Sequence, residues 1–514
     1  MKYRHFAPVS RQLRYSRVMT LALVLLLAAS LAELVLYVPG LWPAHRATGA
    51  WLSLALAWLA AWLLVLSPSW WTLALGMVSG FRIFNLLRLV ERRLPVRQLR
   101  AVAFLSSWQL IGAQGVLAAF WYVFSHWHVP AHIWWWLLAV VDVAIAAGLL
   151  AMTLQRLKRM RPGQLKMHYT DSQLPSISVC IPARNETEAL NECLQALVAS
   201  DYPKLEILVL DDHSQKKTSD VVRSFAHAGV RYVKGEAPDG NWLAKNWAYE
   251  QLYQTSNGEL LVFCGVDIQL GVASLRQLVT IMLERNKEML TLVPRNGVPH
   301  GRQWPGLLLQ PFRYGWEICL PRRAFRRPPA LSSCWVARRD FIRHAGGFAA
   351  VSRSIAPESY LARRATADDG YSFITSSQQL AVTSRKDWRQ QWQTALRTRY
   401  PQLHRRPELT LAVLAIELFC LLAPLVMSIV WLCFAAWGLA VVNIATSVLL
   451  LALYARLTRL TYQQFLWRGL VLLPLVLLVN MTARLLSMRR YEFGDIYWKG
   501  RNVARPVLHS DSAA

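Results

Sequence analysis

Three short apolar runs in the middle of this chain, residues 177–181, 205–210 and 260–264, each give way abruptly to polar or charged residues. Continuous β-branched runs of this length fit strands buried on both faces of a parallel sheet. Between the first two, the stretch 188–199 carries Leu190, Leu194 and Leu197 at helical spacing. That is the crossover a parallel pair requires. The expected fold is therefore α/β, and ligands of such sheets bind beyond the carboxyl ends of the strands. Arg184, Glu186, Asp211, Asp212 and Asp267 follow those ends and are expected to converge on one crevice.

Long apolar runs flank this region: 18–38, 50–66, 101–124 and 133–154 before it, and 409–453 after it. The first four are each long enough to span a bilayer, and the fifth is long enough for two spans turning near Trp437 and Gly438. Arginine and lysine gather before the first run, between the second and third, and after the fourth, which places the N-terminus and residues 155–408 in the cytoplasm. A formal charge of +27 in a soluble protein would suggest nucleic acid. With 54% hydrophobic residues the charge is read as membrane-surface charge, and no nucleic-acid partner is expected. The first run lacks a small-residue cleavage site and is read as a retained anchor.

Residues 70–100 mix apolar side chains with arginine and read as an interfacial helix whose arginines sit among headgroups. Residues 469–483 are short, contain Pro474 and have arginines on both sides. They either re-enter or lie at the interface, leaving the tail in the cytoplasm, or they span and leave it outside; the first is preferred. Glu33, Asp142 and Glu417 lie inside apolar runs, where a carboxylate is costly, and receive no role. The seven cysteines form no C-x-x-C pair and read as free packing residues, with no zinc expected. The organisation expected is a membrane domain over 1–154, a cytoplasmic domain over 155–408, membrane segments over 409–487 and a basic tail over 488–514, in a multi-pass protein of the cytoplasmic membrane.

Pro182-Ala183-Arg184-Asn185-Glu186, then Asp211-Asp212-His213-Ser214, then Trp242-Leu243-Ala244-Lys245-Asn246-Trp247-Ala248, then a strand closing at Asp267, form a specific series. It resembles family 2 glycosyltransferases of the GT-A fold, which move a sugar from a nucleotide diphosphate with inversion. The resemblance covers residues 175–385. It implies an α/β GT-A (Rossmann-like) cytoplasmic domain inserted between N- and C-terminal transmembrane helices. Pro182, Ala183, Arg184 and Glu186 would line the nucleotide. Asp212 would contact the base, which favours a UDP-linked donor, with Asp211 on the ribose side or acting as a structural cap. Lys245 would meet the diphosphate or ribose, although Ala244 stands where the family has glycine.

Where the family has D-x-D, this chain has Gly265, Val266 and Asp267. Asp267 takes the second position, which in the family ligates the divalent ion, Mg²⁺ or Mn²⁺. The family's general base is the acid of an E-D pair after G-G-F. Gly346-Gly347-Phe348 and the later Leu361-Ala362-Arg363 align Glu358 with it, Pro357 preceding; Asp368 and Asp369 are second choices. Processive members carry Q-x-x-R-W, of which Trp388-Arg389-Gln390-Gln391-Trp392 retains only the last residue. Trp388, Trp392, Arg397 and Arg399 read instead as a helix anchored at the membrane surface.

Arg322 and Arg323 belong to a basic loop that would hold a lipid phosphate or the anionic leaflet. Trp498, Lys499 and Arg501 resemble the W-x-G-R of membrane glycosyltransferases with hydrophobic acceptors. The function expected is transfer of a single sugar from a nucleotide-sugar to a lipid or membrane-presented acceptor at the cytoplasmic leaflet. The rivals are a degenerate domain that binds nucleotide-sugar as a scaffold, and a processive synthase-translocator.

Overall fold

The computed structural model describes residues 9–34, 43–65, 70–91, 110–119, 131–163, 169–215, 217–238, 242–297, 304–319, 328–462, 466–493, 496–498 and 501–504. Its centre is a sheet whose strands arise where the apolar runs predict. β1 is Ile177–Ala183, β2 Leu205–Asp211, β3 Val230–Lys234, β4 Leu260–Cys264, β5 Ile268–Leu270 and β6 Met289–Val293. The rest are β7 Arg295–Asn296, β8 Cys334–Arg338, β9 Tyr371–Thr375, β10 Val382–Ser384, β11 Ile496–Trp498 and β12 Arg501–Ala504. Seven strands run in the order β3-β2-β1-β4-β8-β6-β9, parallel except that β8 lies antiparallel between β4 and β6. The chain leaves β1 to either side, toward β2 and toward β4, which opens the switch-point crevice where such sheets take ligands.

Both faces of the sheet are covered, as continuous apolar strands demand. On one face Leu190, Leu194 and Leu197 of the helix Glu188–Val198 meet Leu275, Leu278 and Met282 of Ser274–Glu284. On the other, Tyr249 and Leu252 of the helix Ala244–Thr255 and Leu361 and Ala365 of Pro357–Ala367 close over Phe263, Trp335 and Phe348. The Phe263 and Trp335 rings stack with centroids 4.3 Å apart. A second, three-stranded sheet, β5-β10-β7, extends the domain at the Asp267 end.

Among the described residues three helices are long and apolar enough to cross a membrane: Ile133–Met160, Leu409–Cys433 and Trp437–Thr461. The break between the last two falls just before Trp437, where the sequence places it. Further helices cover Val9–Leu34, Pro43–Val65 and Trp70–Glu91. Of the run 101–124, residues 110–119 are helical and the remainder lies outside the described residues.

The interfacial reading of 70–100 fails at Arg82. Its side chain is wholly buried, pairs with Glu33 at 2.7 Å, and donates to Ser30 and Gln114. The costly carboxylate and the supposed headgroup arginine are ion-paired partners inside a helix bundle. A second such pair joins Glu417 to Arg484 at 2.6 Å. Residues 469–483 fall largely within the helix Leu473–Phe493, which packs against Trp388–Thr398. That contact corrects the reading of Trp388 and Trp392 as surface anchors: both pack against the cluster of Leu309, Ala395 and Ala483.

Candidate functional site

The first turn, after β1, is tied to the turn after β2 by main-chain and side-chain bonds. Asp212 N–H donates to the Ala183 carbonyl at 2.9 Å. The Asn185 and Gln215 amides donate to Ser214 Oγ and Asn185 Oδ1. Arg184 donates to the Asp212 carbonyl and stands 3.8 Å from its carboxylate. Glu186 exchanges main-chain bonds with the Thr218 hydroxyl. The Asp211 carboxylate accepts from Ser214 N–H at 3.0 Å and from the Tyr232 hydroxyl at 3.3 Å. Asp212, one residue on, is buried beside Arg184 and His213.

A cavity of about 840 Å³ opens among Lys245, Arg313, Glu358 and Arg397, which line it with other residues. Arg184, Asp211 and Asp212 stand outside that lining, at the β1–β2 end. Glu358 enters the first turn of its helix behind Pro357, whose fixed φ and missing N–H suit that place. The Glu358 side chain is 6% exposed, its Oε2 accepts no hydrogen bond from the described residues, and Lys245 Nζ lies 3.8 Å from that atom.

Lys245 begins the helix Ala244–Thr255 and lies over the Tyr249 ring. Desolvation lowers its pKa below the ordinary lysine value, Glu358 resisting and Arg397 and Arg313 adding to the fall. The next residue, Asn246, is fully buried and was missed by sequence reasoning. Its Nδ2 donates to the carbonyls of Val351, Ser352 and Ser354, so the helix carrying Lys245 also shapes the loop that delivers Glu358. Glu250, a turn later, accepts the Phe348 amide next to Gly346 and Gly347, whose φ values of 92° and 63° require glycine.

Asp267 follows β4, and its surroundings come from β10. Because Ser384 pairs with Ile268 in the β10–β5 ladder, the Arg385 amide bonds the Asp267 carbonyl at 2.8 Å. The Ser384 hydroxyl donates to Asp267 Oδ2 at 3.0 Å, and Lys386 Nζ lies 3.5 Å from the same oxygen. Burial alone would raise the Asp267 pKa; Lys386, Ser384 and Arg313 outweigh it and hold the carboxyl below its ordinary value.

Mg²⁺ or Mn²⁺ needs hard oxygen ligands and is ordinarily held by one or two carboxylates together with substrate phosphates, which requires a carboxylate oxygen free to meet the ion. Here Gly265 offers no side chain, and a Cβ there would meet Asp267 Oδ1 at 2.8 Å. The Asp267 carboxylate thus leans into the space the missing residue would fill, with an ammonium already on its other oxygen. Among the described residues no three His, Cys, Asp or Glu side chains converge. The donor set at Asp267 does not fit a resident Mg²⁺ or Mn²⁺.

Arg313, Lys386 and the cavity-facing role of Arg397 carry no local signature in the sequence. Arg313 lies on the helix Gln310–Cys319 and Arg397 on Trp388–Thr398. Arg397 lines the cavity rather than a membrane surface, and burial lowers its guanidinium to about 10. Arg322, Arg323 and Lys499 lie outside the described residues. Trp498 and Arg501 are register partners in the β11–β12 hairpin. Ile496 of that hairpin packs with Tyr400 and Tyr491, and Ile355 of the cavity wall packs against the same cluster.

Comparison with known proteins adds to this geometry. Residues 178–346 match the family model described as Glycosyl transferase family 2. Glycosyltransferase AglE of Haloferax volcanii is 36% identical over 100 residues, 19% of this chain and 32% of that protein. The probable glycosyltransferase YdaM of Bacillus subtilis is 33% identical over 99 residues, 18% of this chain and 23% of that protein. The 4,4'-diaponeurosporenoate glycosyltransferase of Staphylococcus haemolyticus is 32% identical over 96 residues, 19% of this chain and 25% of that protein. The chain thus spans a third or less of the length of these relatives. Among solved structures it aligns with the mannosyltransferase PcManGT from Pyrobaculum calidifontis in complex with GDP-Man and Mn²⁺, with a TM-score of 0.41 and 18% identity over 68% of this chain and 98% of that one. Over residues 178–346, about a third of the chain, the protein is thus similar to family 2 glycosyl transferases.

Proposed function

We propose that the protein transfers a single sugar, with inversion, from a nucleotide-sugar to a lipid or other membrane-presented hydroxyl. The observation that carries this reading is Glu358: a buried carboxylate oxygen that accepts no hydrogen bond from the described residues, held beside Lys245 on the wall of a large cavity. Such a group can take a proton from an acceptor hydroxyl as its oxygen attacks C1 of the sugar. The C1–oxygen bond to the β-phosphate breaks on the opposite side, and its electron pair leaves with the diphosphate.

Arg184 and Asp212 are proposed to hold the base and ribose with Pro182, Ala183 and Glu186, and Lys245 to meet the diphosphate. An ionised carboxylate at Asp212 suits a uracil N–H, which favours UDP. The acceptor reading draws on position. Arg313 and Arg397 reach the cavity from helices that pack on Trp437–Thr461 and Leu473–Phe493, so the cavity adjoins the apolar part of the molecule. Trp498, Lys499 and Arg501, in and around a hairpin packed behind Ile355, are proposed to meet the diphosphate or the acceptor, and Arg322 and Arg323 the leaflet. The catalytic part would then face the cytoplasm from a multi-pass anchor in the cytoplasmic membrane.

The test is Glu358→Gln, which keeps shape and loses the base. Transfer from a UDP-sugar panel to membrane lipids, followed by mass spectrometry, should fall about 10²–10⁴-fold, while UDP affinity holds. Glu358→Asp should retain part of the activity. Equal transfer by wild type and Glu358→Gln would remove Glu358 from the chemistry and turn attention to Asp368 and Asp369. Wild-type protein that binds UDP and transfers nothing would point to a scaffold.

A further inference from the structure

We propose that the donor diphosphate is neutralised in this protein by side-chain cations, Lys386 foremost with Arg313, Arg397 and Lys245, in the place where a divalent ion would otherwise act. This rests on the nucleotide-sugar reading above and names how that site meets its leaving group.

The placement of Lys386 is built into the main chain. β10 pairs antiparallel with β5, the Arg385 amide is bonded to the Asp267 carbonyl, and Lys386 comes next. The Lys386 carbonyl accepts from Gln391 Nε2 at 3.0 Å, and Asp387 caps the following helix through a capping box. The backbone of Lys386 is thus fixed on both sides, and its ammonium, largely buried, projects to Asp267.

The charges balance in the way an anion site requires. Arg313 and Arg397 are close enough to act electrostatically on both Lys386 and Lys245. Two carboxylates, Asp267 and Glu358, stand beside Lys386 and Lys245, and Glu317 shares the cavity wall with Arg313, Arg353, Arg363, Arg397 and Arg405. An arriving diphosphate relieves that crowding of positive charge. A divalent ion at Asp267 would increase it, because ion and ammonium would compete for one carboxylate at close range.

The chemistry asked of the cations is modest. When the C1–oxygen bond breaks, the electron pair stays on the β-phosphate, and fixed positive groups aimed at that oxygen stabilise the charge it gains. A Lewis acid does the same work in metal-dependent transfer. In this arrangement Asp267 is a positioning residue: its carboxylate, held by Ser384, aims Lys386.

The experiment measures binding of UDP, UMP and GDP to the full-length protein in nanodiscs by calorimetry, in EDTA and in excess Mg²⁺ or Mn²⁺. UDP or GDP should bind in EDTA within about threefold of its affinity with metal, less than 1 kcal/mol apart. Lys386→Ala should weaken nucleoside diphosphate binding in EDTA by about tenfold or more, the scale of a lost charge-assisted contact. UMP binding should stay unchanged, which also shows that the variant is folded, and Lys386→Arg should recover most of the loss. Asp267→Asn, which keeps an oxygen for Lys386 and removes a metal-ligating carboxylate, should lose less binding in EDTA than Lys386→Ala does. Binding that appears only with metal and vanishes in Asp267→Asn would overturn the inference and leave the proposed activity standing. A wild type that binds neither diphosphate under any condition would overturn both.

Discussion

Asn246 Nδ2 donates to the carbonyl of Ser354 at 2.8 Å, across 108 residues of chain. The same nitrogen serves Val351 and Ser352, so one buried amide holds three carbonyls of the loop before Glu358. Asn246→Ala should therefore lower stability by about 1–3 kcal/mol, the cost of leaving buried polar groups unpaired. Because the loop ends at the proposed base, kcat should fall more than KM for the donor rises. Thermal unfolding and steady-state kinetics check both, and an unchanged kcat would detach the loop from catalysis.

Glu206, on β2, gathers donors from three directions: Ser178 Oγ, both the amide and side chain of Asn257, and Arg231. Burial alone would raise its pKa, but these donors outweigh it and bring the carboxyl below 4.5. A depressed folded-state value contributes stability above the unfolded pKa and loses it as pH falls through the folded one. The stability gap between wild type and Glu206→Gln should accordingly be full near neutrality and shrink as pH drops below about 4.5. Chemical denaturation at stepped pH reads it; a gap that widens in acid would reverse the sign.

Glu33→Ala should destabilise the N-terminal helices severely, because it leaves the wholly buried Arg82 guanidinium without its counter-charge. Breaking one side of such a pair costs about 3–5 kcal/mol, whereas apolar replacement of both sides is often neutral. Glu33→Leu combined with Arg82→Leu should hence recover most of the thermal midpoint lost by Glu33→Ala in detergent. A double variant as unstable as the single would assign the loss to packing.

The strands at 177, 205 and 260 were legible because each is a self-contained apolar run with a charged end. The helix Glu188–Val198 and the helix-start position of Glu358 were legible for a similarly local reason, a leucine periodicity in one case and a proline at the first turn in the other. β8 was not: Cys334–Arg338 enters antiparallel between β4 and β6, and nothing in five residues announces their neighbours. The cations around Asp267 were hidden for another reason. In a chain with 57 lysines and arginines, an arginine that lines a cavity looks like one that faces a membrane. Only long-range packing separates Arg397 from Arg389. Arg82 was misread on the same ground, since its partner Glu33 lies 49 residues away.

The ion pair between Glu417 and Arg484 has a consequence for how the molecule is made. Glu417 lies inside a helix apolar enough to enter a bilayer, whereas Arg484 lies near the end of the chain on a helix that also touches Trp316 through its guanidinium. During synthesis the acid emerges first and waits through the following apolar helix for its base. In a bilayer, the half-built protein would hold an uncompensated carboxyl until the helix bearing Arg484 arrives, a state that membrane quality control is equipped to sense. Chains cut short before Arg484 should thus be degraded rather than accumulate, even though every strand of the catalytic sheet has already been translated.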